Sequence, residues 1–165
     1  MRYADGPTAE VTIEIDAAPE AVWALVTDLS VHARFSDEFQ GGEWLTDGGA
    51  GPGARFVGHN RHPKTGFEWS TESEITACAP GEAIEWAVGG PDNPAATWRY
   101  ELVALDGGSR TRLRQWARMG PGPSGLTPAI EAQPEKEDRI VARRLEDWTR
   151  NMQATVAGIK QLAEA

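Results

Sequence analysis

The chain has 165 residues, 40% of them hydrophobic and 25% charged, enough apolar material for one domain with its own core and too much for wholesale disorder. Sixteen basic residues against 25 acidic ones leave a net charge of −9, which argues against a nucleic-acid partner, since that requires a concentrated basic face. A single cysteine, Cys78, leaves no internal disulfide and suits a reducing compartment.

The first residues carry Asp5, Glu10 and Glu14 without an apolar run, and no stretch approaches the roughly 20 apolar residues of a membrane span. A cytoplasmic chain with no signal peptide and no membrane partner is therefore expected. Glu10 to Asp16 alternates Val11, Ile13 and Ile15 with Thr12 and Glu14, the period of a half-buried strand. Pro19 suits a first helical position and Glu20 the positive first turn, so Pro19 to Thr27 reads as a short helix with Ala21, Val22, Leu25 and Val26 inward. A second short helical turn is expected around Val31 to Phe35.

Strands divided by turn signals follow. They are Gly41 to Thr46, Ala54 to His62, Phe67 to Ala77, Ala83 to Val88, Ala96 to Leu105 and Arg110 to Met119. Gly48–Gly53, Pro63–Gly66, Pro80-Gly81, Gly89–Pro94 and Gly107-Gly108 supply the turns. Six strands with such short connections imply an antiparallel meander. Gly120 to Pro134 holds four prolines and reads as a loop with one helical turn near Pro128 to Ala132. Beyond it Val141, Leu145, Trp148, Met152, Val156, Ile159 and Leu162 form one apolar stripe on a helix of about 28 residues, roughly 40 Å long.

These elements predict an α+β fold over residues 1–165 as one domain. A seven-stranded antiparallel sheet curls around the long C-terminal helix, with two short helices after the first strand. A curled sheet does not close on a straight helix along its whole length, so a pocket is expected between them. Alternation sets its lining. Glu68, Ser70, Glu72 and Glu74 must face water, which turns Phe67, Trp69, Thr71, Ser73, Ile75 and Ala77 inward. The same rule places Ile84, Trp86 and Val88 inside, with Trp98, Tyr100 and Leu102, and then Thr111, Leu113, Gln115, Ala117 and Met119. On Ala54 to His62 the inward set is Phe56, Gly58, Asn60 and His62, which keeps both arginines out. Phe35, Leu145, Trp148 and Met152 complete the expected ligand-binding surface.

Trp116 falls on the face of Arg110, Arg112, Arg114 and Arg118, where stacking beneath Arg114 or Arg118 is expected. That arginine stripe reads as a solvated sheet face. Seven tryptophans spread over nearly every element suggest that several converge on one interior space; the competing reading is a solid, tryptophan-rich core.

The stretches VTIEIDAAPEAVWALVTD, GARFVGHNRH, FEWSTESEITACAPGEAIEWAV, ATWRYEL and RLEDWTRNMQATVAGIKQLAE resemble the START/Bet v1-like (SRPBCC) superfamily, over about residues 10 to 163. Within it they look most like the polyketide cyclase/dehydrase branch. The resemblance implies a helix-grip fold holding a small hydrophobic or aromatic polyketide-like molecule, and aldol closure and dehydration where chemistry occurs. For such chemistry His62 is the acid/base candidate, because its unperturbed pKa lies near neutrality, with Tyr100, Asn60 and Gln115 holding an enolate or carbonyl oxygen. The competing functions are a non-catalytic carrier or sensor and a protein-interaction module like the heat-shock ATPase activators of the same superfamily.

Other chemistries are disfavoured. His59 and His62 are three apart on a strand and point to opposite faces, so no metal site is expected. Gly49, Gly51 and Gly53 lead into a strand rather than a helix, and no G-x-S-x-G elbow exists, so no cofactor and no serine nucleophile are expected.

Overall fold

Short turns dictate neighbouring strands, and five hairpin-length connections leave the chain little choice but a meander. A computed structural model describes residues 1–165. Its strands are β1 (Thr8–Ile15), β2 (Phe39–Trp44), β3 (Arg55–Arg61), β4 (Glu68–Ala79), β5 (Ala83–Val88), β6 (Ala96–Leu105) and β7 (Arg110–Met119). They form one antiparallel sheet in the order β1-β7-β6-β5-β4-β3-β2, so the first strand joins the last and the meander curls. Two short helices, α1 (Pro19–Val26) and α2 (Leu29–Phe35), follow β1, α3 (Thr127–Ala132) interrupts the proline-rich loop, and α4 (Glu137–Ala163) ends the chain. This is the helix-grip arrangement that the element order predicts. No helix is long and apolar enough to cross a membrane.

The apolar stripe of α4 lies along β1, with α1, α2, α3 and β7 as its other close neighbours. Ile15, Val22, Leu113, Val141 and Ile159 are fully enclosed there, and Met152 and Val156 nearly so. Gly158 of α4 is what lets α2 dock: a Cβ there would stand 2.3–2.4 Å from three ring carbons of Phe35. Phe35 therefore packs on α4, where it remains partly exposed.

On the outer face, Arg114 pairs with Glu10 at 2.5 Å and Glu101 at 3.3 Å, and Arg110 with Asp16 at 2.5 Å and Asp106 at 3.3 Å. Because carboxylates of β1 and β6 take the Arg114 guanidinium, the expected stacking on Trp116 is replaced by ion pairs; Trp116 sits between Glu10 and Arg99 instead.

Two inward assignments change. A bulge between Ile75 and Ala77 inserts one residue into β4, so Ala77 pairs with Glu85 while Cys78 pairs with the buried Ile84 and packs on the core. Phe67 precedes β4, is 67% exposed and stacks on Trp69 at 6.0 Å. The proline-rich loop is tied down at its start. Gly120 and Gly122 donate backbone N–H groups to Ala95 and Pro94 (2.8 and 2.7 Å), and the Tyr3 hydroxyl donates to the Gly122 carbonyl at 2.6 Å.

Candidate functional site

The inner face of the sheet divides into a closed half and an open half. Five rings close the first. Trp44, Phe56, Trp86, Tyr100 and His32 follow one another with centroid separations of 5.4, 6.0, 6.0 and 5.5 Å. Their register explains the run: Trp44 pairs with Phe56 across β2–β3, and Ile84 with Tyr100 across β5–β6, which leaves Trp86 two residues away on the same face. His32 caps the row from α2, a helix started by Asp28, whose carboxylate accepts from the Ser30 N–H at 2.9 Å and the Ser30 hydroxyl at 2.6 Å.

His32 has a defined tautomer. The Val26 carbonyl, 2.9 Å from Nε2, can only accept, so Nε2 carries the hydrogen. Nδ1 is then an acceptor, and the Tyr100 hydroxyl donates to it at 3.2 Å. Burial pushes the His32 pKa below its ordinary value and the Tyr100 pKa far above its own, which holds both groups neutral at pH 7.

The open half lies between the first turns of α4 and the ends of β3, β4, β5 and β6. Trp98 of β6 and Trp148 of α4 meet at 4.8 Å, tilted by 48°, and both stay half-exposed. Thr71, Trp69, Asn60 and Leu145 are half-exposed as well. The Phe39 ring lies over Gly58, where a Cβ would be 2.9 Å from it. Arg144 of α4 holds the approach to β2 by a bidentate bond to Glu38, 2.8 and 2.5 Å long. Burial works against the Arg144 charge, but Glu38 more than restores it, and the net shift of its pKa is upward.

The expected site residues therefore separate. Trp69, Thr71, Trp98, Asn60, Leu145 and Trp148 are half-buried at the open half, and Trp86, also half-buried, belongs to the ring row of the closed half. Phe56, Ser73, Met119 and Met152 are buried in the core around it, at 7%, 3%, 1% and 1% exposure. Gln115 is buried at 5% exposure beside Tyr100 and Val11, and its Oε1 has no hydrogen-bond partner. The catalytic pair is not assembled. His62 lies past the end of β3, where its Nδ1 accepts the backbone N–H groups of Lys64 and Thr65 at 3.2 Å, so it organises a turn. Tyr100 is fully enclosed and partnered by His32 rather than by His62. His32 went unnoticed in the sequence, although the Asp28–Ser30 cap starts the helix at Leu29 and turns Val31 and His32 toward the sheet.

Under α4 the inner face carries the ring row of the closed half and the Trp98–Trp148 pair of the open half. Two concavities lie at the rim of the sheet, and the first shares Asn60 and Trp69 with the open half. One of about 610 Å³ sits over the tip of the β3–β4 ladder among Gln40, His59, Asn60, Arg61, Glu68, Trp69 and Ser70. One of about 430 Å³ lies between Pro19, Glu20 and Trp23 of α1 and the Pro80–Glu82 turn. Beside the first, His59 bridges Glu43 and Ser70 at 2.8 Å each, on the outer face as its strand position predicts.

The family model described as polyketide cyclase / dehydrase and lipid transport matches residues 7–164. Among solved structures, a polyketide-cyclase-like protein of Corynebacterium glutamicum is 28% identical with a TM-score of 0.65, over 94% of this chain and 90% of that one. An aromatase/cyclase of a Streptomyces species is 16% identical with a TM-score of 0.66, over 94% of both chains. A di-domain aromatase/cyclase, BexL of the BE-7585A biosynthetic pathway, is 19% identical with a TM-score of 0.70, over 96% of this chain and 50% of that one. The last two likenesses bear on the fold alone. No curated protein matches the chain.

Proposed function

This chain belongs to the polyketide cyclase/dehydrase and lipid transport family, and we propose that it binds a small hydrophobic or aromatic, polyketide-like molecule at the open half of its grip. The observation that carries the reading is the Trp98–Trp148 pair, which joins sheet to helix at 4.8 Å while both rings stay half-exposed. Large rings left partly in solvent on an otherwise apolar inner face offer stacking area without a charge to desolvate. A ligand would replace one ring's partner with its own.

A non-catalytic carrier or sensor is favoured over a cyclase by the state of the two titratable groups on that face. Tyr100 and His32 already satisfy each other, and Tyr100 is fully enclosed, so proton transfer to a ligand would first break their bond. Native mass spectrometry of the protein with a panel of aromatic polyketides, sterols and fatty acids tests both points. A panel compound retained on the protein and recovered unchanged is the expected result. Recovery of a cyclised product that has lost water would make the protein an enzyme, and retention of nothing would remove the binding reading.

A further inference from the structure

Gln115 is the one inner-face side chain whose chemistry the fold leaves unspent. It is 5% exposed, its Oε1 has no partner, and no other side chain in the protein has an enclosed polar atom in that condition. Its cross-strand neighbours do not help it: Val11 is apolar, and the Tyr100 hydroxyl donates to His32. An acceptor left dry destabilises the fold, and methionine at the same position would avoid that loss. Its diagonal neighbour across β6–β7 is Trp98, which pairs with Ala117 and packs on Trp148.

Charge is absent around this amide. The residues of β1, β6 and β7 that share its face, from Val11 and Ile13 through Trp98, Leu102 and Leu113, are all uncharged. Arg144, the cation that holds the approach to β2, gives two guanidinium nitrogens to the two oxygens of Glu38. A carboxylate or phosphate set against this sheet face would meet no cation of β1, β6 or β7 and would be buried unpaired there.

Resting on the binding reading above, we infer that the molecule taken up is neutral and carries an O–H or N–H donor at its inner end. That donor is received by Gln115 Oε1, with the ring system behind it stacked against Trp98 and Trp148. The protein thereby selects hydroxylated aromatics over their blocked or acidic counterparts. Selection by a buried acceptor is stringent because a ligand lacking the donor leaves that acceptor unpaired in the complex.

The test uses 2-naphthol, 2-methoxynaphthalene and 2-naphthoate, titrated into the wild-type protein and the Gln115→Met variant at neutral pH while tryptophan fluorescence is followed. Wild type should bind naphthol about tenfold more tightly than the methoxy compound, the weight of one hydrogen bond, and naphthoate more weakly than either. Gln115→Met should lose the preference for naphthol, keep the methoxy compound and melt no lower than wild type. Equal affinity of wild type for naphthol and methoxynaphthalene, or a preference that survives in Gln115→Met, would overturn the role of Gln115 and leave the binding reading standing. A variant that melts well below wild type would show that the amide is already satisfied within the fold, and would equally overturn it. Failure of all three compounds to bind wild type would end both claims.

Discussion

At the scale of single residues, His32 carries the clearest consequence. Its ring is buried between the Val26 carbonyl and the Tyr100 hydroxyl, in a neutral tautomer that uses both nitrogens. In the unfolded chain it titrates near 6.5, and burial in the fold lowers that value. Below pH 6.5 the unfolded state therefore binds more protons than the folded one, and stability falls as pH drops. Above pH 6.5 neither state is charged, and the contribution of His32 is complete. Urea midpoints of wild type should thus decline between pH 6.5 and 5 more steeply than those of His32→Gln, whose amide does not titrate. Parallel slopes in the two proteins would mean that the acid sensitivity belongs to the carboxylates. The aromatic positions were legible in the sequence because strand alternation sorts faces. The pairing of His32 with Tyr100 was not, because it joins residues 68 apart from two elements whose relative placement no local pattern encodes.

At the scale of elements, strand and helix limits were legible to within about two residues, since turn residues and apolar period mark them without tertiary help. What escaped were features that depend on one element's fit to another. The β4 bulge at Thr76 adds a residue without altering composition, so the alternation read from Phe67 onward put Ala77 inside, whereas Cys78 is the residue that pairs with the buried Ile84 and packs on the core. The packing of Phe35 on α4 was not legible because Gly158, the gap it fills, is an unremarkable glycine in a helical run. The Arg144–Glu38 bond is of the same kind. It ties α4 to the connection between α2 and β2, where the Asn151 side chain also accepts the Asp37 N–H at 3.1 Å. Side-chain exposures of 24% and 14% make it a partly desolvated pair. Removing one partner strands the other charge, so Arg144→Ala or Glu38→Ala should each cost about 2–3 kcal/mol, discounted from the fully buried case for the remaining solvent contact. The double variant Arg144→Ala/Glu38→Ala should cost less than the two single losses added together. A double-mutant cycle by urea denaturation measures this, and strictly additive losses would show that the two charges do not sense each other.

At the scale of the whole molecule, the grip is unequally tightened. Near β1, β6 and β7 the C-terminal half of α4 is sealed by Ile15, Leu113, Met152, Val156 and Ile159, each at most 6% exposed. Toward β2, β3 and β4 the inner face keeps Trp69, Thr71 and Asn60 half in solvent, and the hairpin tip presents Phe67 at 67% exposure. The curvature argument from sequence counted backbones and not rings, so it did not divide the grip into a closed and an open half. Local opening follows buried contact, so the two halves should differ in amide hydrogen exchange. β6, β7, β1 and residues Met152 to Ile159 should exchange slowest, near the rate of global unfolding, while β2 and the His62–Phe67 turn should exchange much faster. A ligand seated on Trp98, Trp148 and Gln115 should slow exchange in the first turns of α4, in β3 and β4 and around Gln115 of β7, and leave β1 and residues Met152 to Ile159 as they were. Uniform protection across the sheet would mean that the grip opens as one unit, and a ligand would then have to enter by unfolding it rather than by parting two rings.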